Sequence, residues 1–318
     1  MAPYDLPAAK RPSLARMSPN FAVWPPIFDM EPIPLSAEPL SGEDLTTLAL
    51  AKQRLETQPL AMKLADAVGA PIERLMARLP AAAHDAVASA TRRALDKSLQ
   101  AAVATLGAPH LAASDEAPGG GQSAQPKPRD WLHKLAVATT GAAGGAFGLV
   151  ALPAELPITT TLMFRSICDI ARSEGEDLRL AEARLQCLAV FGMGRSTADE
   201  EADLGYFIAR GALAQAISKA SSELASKGMA AHGAPALVRL MNAIAARFSA
   251  QVSEQVAAKS IPAIGAVLGA AVNTVFIDHF QQTAHGHFAV RRLERRYGSE
   301  VIEAAYRAVA PTSATGTI

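Results

Sequence analysis

The sequence has few cysteines, few aromatic residues and no net charge. Cys168 and Cys187 are its only cysteines, and their spacing fits neither a CxxC redox motif nor a cysteine zinc site. We expect two buried helical thiols in a reducing, bacterial-type cytoplasm. Thirty basic residues balance thirty acidic ones, so no global field attracts nucleic acid, and we expect no nucleic-acid partner. The N-terminus has no continuous apolar core and does not resemble a secretory signal.

Aromatic residues make up only 5% of the chain, although half of the residues are hydrophobic. The apolar content therefore consists mainly of small side chains that favour helix, alanine above all. Apolar residues recur at helical spacing in one segment after another, and no convincing series of strands is found. The sequence predicts an all-α fold whose centre is a glycine-rich apolar helical hairpin.

Stretches rich in proline and glycine divide the chain into five parts. Residues 1–40 contain many prolines and are expected to form a disordered arm. Residues 107–130 are predicted to be a flexible linker of Gly, Pro and Ser. The helical pattern predicts an N-terminal helical part over residues 41–106 and a core helical domain over residues 131–309. Residues 310–318 are expected to fray.

Local signals mark the first helix boundaries. Ser41 is a candidate N-cap with Asp44 in the first turn of the helix that follows. Pro59 should interrupt that helix, and Pro71 should begin a short one. These boundaries depend on neighbouring residues only, so they are the most direct predictions of the sequence.

Two long uncharged segments dominate the second half of the chain. One lies between Lys134 and Glu155 and has 20 residues, and the other lies between Lys259 and Asp278 and has 18. Both reach the length of a membrane-spanning helix. Their many alanines and glycines, and Asn273 in the second, contribute little transfer energy, so insertion would be marginal. Bilayer insertion and packing in a soluble or peripheral core therefore both remain open.

Glycines four residues apart occur in both uncharged segments. On a helix this spacing clears side chains from one face and lets a second backbone approach closely. The pattern is typical of helix dimers in membranes, of a packed hairpin in an all-α protein, and of a homo-oligomer built on glycine faces. The candidate ligand-binding or membrane-binding residues here are Gly141, Gly145, Gly148, Gly265, Gly269 and Asn273.

Glu155 lies between Pro153 and Pro157. The two prolines predict that the chain leaves one helix here and begins another, with Glu155 capping the second helix. Arg165 and Asp169 follow four residues apart and so share a helical face. These side chains could form either a buried ion-pair network or the wall of a ligand pocket.

The sequence FIDHFQQTAHGHF forms a second candidate cluster. Asp278 and His285 share a helical face and would make a metal site if Glu155 or Asp169 completed it. A hydrolase would use Glu155, Asp169 and Asp278 with His279 or His285. However, no HExxH, no paired ExxH and no GxSxG motif is present. We therefore expect no metal and no cofactor, and favour a protein without enzymatic activity.

The sequence RRLERRYG, residues 291–298, is a local basic cluster. Arginines at a helix end complement the helix dipole and are usually solvated. Arg291 and Arg292 would instead bind anionic lipid head groups if the apolar hairpin touches a membrane. A third interpretation pairs the cluster with the acidic helix start TADEEADLGYF within the same chain.

Two segments, GLVALPAELPITTTLMFRSICDIARSEGEDL (148–178) and IPAIGAVLGAAVNTVFIDHFQQTAHGHFAVRRLERRYG (261–298), resemble the bacterial EcsC protein family. The resemblance extends over most of the chain from about residue 41 and is weakest in the arm and the linker. The family is associated with an ABC-transporter locus and has no settled biochemical activity, although some members are labelled peptidases. Many relatives have Asp-Leu-Pro in place of Glu155-Leu156-Pro157.

Taken with the apolar segments, the resemblance implies an accessory protein of transport or secretion. Such a protein would be cytoplasmic and peripherally associated with the inner membrane. Its expected partner is a membrane lipid or a membrane protein, bound through residues 141–164 and 261–277.

Overall fold

The computed structural model describes residues 40–56, 58–104, 130, 134, 137, 152–193, 205–227, 233–260 and 265–309. These residues contain ten bounded α-helices, a short 3-10 helix and no strand, which confirms the predicted all-α fold. The helices are α1 Gly42–Leu55, α2 Leu60–Val68, α3 Ile72–Met76, α4 Ala81–Ala104, α5 Leu152–Ser173, α6 Ala181–Ala189, α7 Gly205–Lys227, α8 Pro235–Lys259, α9 Gly265–Tyr297 and α10 Ser299–Ala308, and the 3-10 helix is Val190–Gly192.

Several predicted features lie outside the described residues. They are the arm up to residue 39, almost all of the linker, the tail, and the glycines Gly141, Gly145 and Gly148. In the second uncharged segment, Gly265 is the first residue of α9 and Gly269 is buried in its second turn. Within the described part of the chain, no helix combines the length and hydropathy needed to cross a bilayer.

Helix α9 is the centre of the packing. It has 33 residues and contacts α1, α2, α5, α8 and α10. Helix α4 packs on both α5 and α8, so helices from either side of the predicted linker share one hydrophobic core. That core includes an aromatic cluster in which the Phe248 ring centroid lies 4.8 Å from Phe191 and 5.6 Å from Phe280. This aromatic cluster lies where α8, α9 and the 3-10 helix meet, and a second one joins Tyr206 and Phe207 of α7 to Tyr306 of α10.

The local boundary signals are confirmed. The Ser41 hydroxyl caps α1 and accepts a hydrogen bond from the Asp44 backbone N–H at 3.1 Å. Pro59 separates α1 from α2, and Pro71 directly precedes α3. Proline at a helix start removes an N–H that would have had no partner within the helix, so these boundaries follow from chain chemistry alone.

The predicted helix break between Pro153 and Pro157 is wrong. Helix α5 runs without interruption from Leu152 to Ser173 and includes Pro157. Pro153 lies at the second residue, where no hydrogen bond is lost, and Pro157 removes only one N–H near the helix start. Tertiary packing of α5 on α4 and α9 outweighs that loss.

The closest helix contact that can be described at a glycine is at Gly286, where α9 crosses α1. A Cβ atom at this position would lie 2.6 Å from Leu55 Cγ and 3.0 Å from the Ala51 carbonyl oxygen. Real Cβ atoms do not approach so closely, so only glycine allows the two helices to pack at this distance. The sequence analysis did not single out this glycine, because it has no glycine four residues away.

Candidate functional site

A buried ion pair joins the start of α5 to the end of α8. Glu155, in the first turn of α5, accepts a hydrogen bond from Lys259, the last residue of α8, with 2.6 Å between Oε1 and Nζ. The two side chains are only 9% and 11% exposed. A carboxylate at a helix start and an ammonium at a helix end both complement the helix dipoles.

Two buried amides complete this ion pair. Asn273 Nδ2 donates to Glu155 Oε1 at 3.0 Å and to the Val137 carbonyl oxygen at 3.2 Å. Asn273 Oδ1 accepts from Gln255 Nε2 at 2.7 Å. We call Glu155, Gln255, Lys259 and Asn273 the Glu155 network. Because its members satisfy one another, the network fixes the relative positions of α5, α8 and α9.

Burial has a clear electrostatic effect in the Glu155 network. Removal from water lowers the pKa of Lys259, while the neighbouring Glu155 carboxylate acts in the opposite direction. A buried ammonium of this kind depends on its partner, because an unpaired charge at such a position is strongly unfavourable. The charge on Glu155 is therefore a structural requirement of the network.

A second ion pair lies at the opposite ends of the same uncharged segments. Lys134 Nζ is 2.6 Å from Asp278 Oδ1, with each side chain about one third exposed. The first segment thus starts at Lys134 and ends at Glu155, and the second starts at Lys259 and ends at Asp278. The four charges that delimit the two segments neutralise one another in two pairs.

The contacts of Asn273 bring together parts of the chain that are distant in the sequence. Val137 and Glu155 both accept a hydrogen bond from the Asn273 side chain, so the two residues that flank the stretch 138–154 in the sequence lie at one place. Residues 260–272 are likewise connected at one end to Lys259 and at the other to Asn273. Neither stretch contains a charged residue. The Glu155 network therefore lies where the residues that flank the two uncharged stretches meet.

One exposed stripe of α5 begins beside the Glu155 network. Pro153, Ala154 and Ile158 are exposed, with 53% of Ile158 accessible to solvent. Arg165, seven residues after Ile158 and so on the same helical face, is also exposed. Arg165 does not belong to the network, in contrast to the interpretation that grouped it with Glu155.

Asp169 belongs to a separate contact. Its carboxylate is 3.1 Å from Arg172, three residues further along α5. The neighbouring Ser166 is buried and its hydroxyl accepts a hydrogen bond from Gln281 of α9 at 2.8 Å. The Asp169 carboxylate and the Ser166 hydroxyl thus bind to their own helix or within the bundle, and not to the Glu155 side chain.

The histidine cluster does not form a metal centre with the carboxylates proposed for it. His285 Nε2 lies 2.8 Å from Asp130 Oδ2, whereas Asp278 is bound by Lys134 and Glu155 by Lys259. In the part of the chain that the structure describes, no three His, Cys, Asp or Glu side chains are placed to hold a metal ion.

His279 and Glu254 are buried ionisable residues with side-chain atoms that have no hydrogen-bond partner among the described residues. His279 is 2% exposed and neither ring nitrogen is bonded in the described structure; burial lowers its pKa to about 3. Glu254 of α8 is 8% exposed, and its Oε2 atom is also unbonded. Burial raises the pKa of Glu254 to about 7. The sequence analysis missed Glu254, which a helical pattern alone would assign to a solvated face.

The basic cluster at the end of α9 is matched by acidic residues of the chain. Glu176 accepts hydrogen bonds from Arg291 and Arg295, and Glu174 pairs with Arg292 at 2.9 Å. Arg296 pairs with Asp44 at 3.2 Å. The acidic residues of the helix start TADEEADLGYF, which the sequence offered as partners of this cluster, all lie within residues 197–204 and so outside the described residues.

The described residues define a class: an all-α protein in which two ion pairs join the residues that flank two uncharged, glycine-bearing segments of the sequence. The model of the EcsC protein family matches residues 43–293, and the chain belongs to this family, as the resemblance indicated. The match includes both ion pairs and the whole Glu155 network. No curated protein and no solved structure matches the chain.

Proposed function

We propose that this EcsC family member is a non-enzymatic accessory protein that binds the cytoplasmic surface of the inner membrane. The observation that supports this most is the pairing of Lys134 with Asp278 and of Glu155 with Lys259. These pairs gather the ends of both uncharged stretches and neutralise the charges beside them. Uncharged sequence with its flanking charges neutralised is suited to contact with the apolar part of a lipid surface.

The exposed stripe of α5 fits the same role. Pro153, Ala154 and Ile158 present apolar surface next to the Glu155 network, and burying the exposed half of the Ile158 side chain gains about 1 kcal/mol. Arg165 lies two helical turns away, about 10 Å along the axis. An arginine at that height above an inserted apolar turn would meet the phosphates of the lipid head groups.

The alternatives have less support in the described residues. A hydrolase would need Glu155, Asp169 and Asp278 in one site, yet each of them has its own cationic partner. Arg291 and Arg292 are also less suitable as lipid contacts than Arg165, because both have carboxylate partners. A membrane protein or a second copy of the chain would use the same apolar surface, and pure lipid vesicles distinguish lipid binding from both.

The proposal predicts that the full-length protein floats with lipid vesicles in a density gradient. Vesicles of phosphatidylcholine with phosphatidylglycerol should bind more protein than phosphatidylcholine alone, because Arg165 adds an electrostatic contribution. Ile158→Glu should lower the bound fraction about tenfold or more, since it replaces apolar contact with a charge.

Ile208→Glu is the matched control. Ile208 is 61% exposed on α7. The same helix meets the far end of α9 through the Arg210–Glu294 ion pair, about 30 Å from Asn273 along the helix. Its flotation should equal that of the unchanged protein. Failure of the unchanged protein to float, or equal flotation of the two variants, would contradict the proposed function.

A further inference from the structure

A small cavity lies between α4 and α8, which pack directly against each other. Its floor is apolar and is formed by Leu95 and Leu99 of α4 and Leu237 of α8, each at most 2% exposed. The cavity volume is about 150 Å³. Apolar cavities of this size bind a benzene molecule, so the floor fits one branched or aromatic side chain.

Two opposite charges and an amide line the rim of the cavity. Arg92 and Asp96 of α4 and Asn242 of α8 are all exposed. In the part of the chain that the structure describes, neither the Arg92 guanidinium nor the Asp96 carboxylate is bound in a hydrogen bond or an ion pair. The neighbouring Arg93, by contrast, donates to Ser89 of its own helix. The rim therefore presents a guanidinium and a carboxylate to a ligand beside an apolar floor.

Helical spacing explains how these groups share one site. Leu95 and Asp96 follow Arg92 by three and four residues, so all three lie on the side of α4 that faces the cavity. Arg92 and Asp96 are one turn apart, about 6 Å along the helix axis. Leu95 is buried, whereas both charges reach water. An apolar group can thus enter between the helices while a charged head group stays at the rim.

We propose that this cavity binds a free α-amino acid with an apolar side chain of the size of leucine, methionine or phenylalanine. Arg92 binds the α-carboxylate, Asp96 binds the α-ammonium, and the side chain fills the cavity between α4 and α8. Asn242 and Lys259 are 17 residues apart on α8, about 25 Å along the helix. The site is therefore separate from the Glu155 network and independent of membrane binding.

The two rim charges select a zwitterion. A carboxylate without an ammonium would be attracted by Arg92 but repelled by Asp96, and an amine without a carboxylate would meet the reverse. An amino acid carries both groups on one carbon, and its side chain leaves the same carbon. Because the rim is exposed, each ion pair contributes modestly, and we expect a dissociation constant on the order of 1 mM.

A ligand-observed NMR titration of the full-length protein tests the site. Leucine, methionine and phenylalanine should bind saturably. Glycine should bind at least about tenfold more weakly than leucine, because it has no side chain to bury. Two analogues keep the leucine side chain but lose one charge: isocaproate has no ammonium and leucinamide has no carboxylate. Each should bind about fivefold more weakly than leucine.

Variants of α4 assign each charge to its part of the ligand. Arg92→Gln should weaken leucine binding about fivefold without weakening leucinamide, which has no carboxylate for Arg92 to bind. Asp96→Asn should weaken leucine by a similar factor without weakening isocaproate, which has no ammonium. Arg93→Gln is the matched control and should bind leucine like the unchanged protein, because Arg93 does not line the cavity.

Three results would overturn the proposal. The first is no saturable binding of any of the three amino acids up to about 20 mM, well above the expected dissociation constant. The second is equal binding of leucine, isocaproate and leucinamide to the unchanged protein, which would mean that only the apolar floor is used. The third is equal weakening of leucine binding by Arg92→Gln and Arg93→Gln. The first two are measured on the unchanged protein and do not depend on how a variant folds.

Discussion

Lys259→Met is expected to lower the free energy of unfolding by about 3–5 kcal/mol. The substitution keeps the length of the aliphatic chain but removes the ammonium that binds the Glu155 carboxylate, which is only 9% exposed. Asn273 alone would then face a buried negative charge, and one amide N–H compensates it poorly. Denaturant unfolding followed by circular dichroism measures the loss.

Two further variants separate the buried charge from the change of side chain. In the double variant Glu155→Met with Lys259→Met no charge is left unpaired, so stability should return to within about 2 kcal/mol of the unchanged protein. Arg307→Met removes one partner of an exposed pair on α10, and should change stability by less than about 1 kcal/mol. A Lys259→Met loss no larger than that of Arg307→Met would show that the Glu155 network does not hold the helices together.

Gly286→Val is expected to destabilise the fold by about 3 kcal/mol, since it places extra carbon atoms where α9 packs directly against α1. The first of these atoms would already lie 2.6 Å from Leu55 Cγ, and the Ala51 carbonyl oxygen at 3.0 Å belongs to the backbone and cannot rotate away. The helices would have to separate, which opens the core around α9. Thermal and denaturant unfolding both report this loss.

Gly211→Val is the matched control for this effect. Gly211 is an exposed glycine inside α7, and a Cβ there would have no atom within 4 Å. Glycine and valine differ little in helix propensity, so stability should stay within about 0.5 kcal/mol. If both valine variants lost equal stability, the effect would arise from helix propensity and not from packing at Gly286.

Local chemistry explains which helix boundaries could be predicted. Ser41, Pro59 and Pro71 act on the residues beside them, and the structure has the boundaries that they predict. Pro157 was misinterpreted because its local effect, one lost N–H, is smaller than the packing of α5 against the bundle. Propensity gives way where tertiary contacts are extensive.

The candidate site could be predicted only in part. Glu155 and Asn273 were singled out as polar residues in apolar segments, whereas Lys259 and Gln255 were missed because their partners are distant in sequence. A usable signal was nevertheless present in the sequence. Each uncharged segment is preceded by a lysine and followed by a carboxylate, so antiparallel segments place a lysine beside a carboxylate at each end. An antiparallel arrangement of the segments would have predicted Glu155 with Lys259 and Lys134 with Asp278.

The basic cluster at residues 291–296 and His279 show where sequence patterns are not enough to assign a role to a side chain. Four arginines in six residues indicate a binding surface as readily as a structural one, and only the fold brings Glu174 and Glu176 to them. His279 looked like a catalytic candidate beside Asp278, yet it lies buried with neither ring nitrogen bonded in the described structure. Spacing along a helix states which side chains share a face, but not what that face meets.

Amide hydrogen exchange of the full-length protein, with and without vesicles containing phosphatidylglycerol, tests the central claim most directly. If the Glu155 network is the base of a membrane-binding surface, vesicles should slow exchange in peptides covering residues 138–158 and 260–270. Peptides covering residues 291–297 should exchange at an unchanged rate. Vesicle-bound protein with no slowing in the first two regions, or with slowing at the arginine cluster instead, would contradict the account.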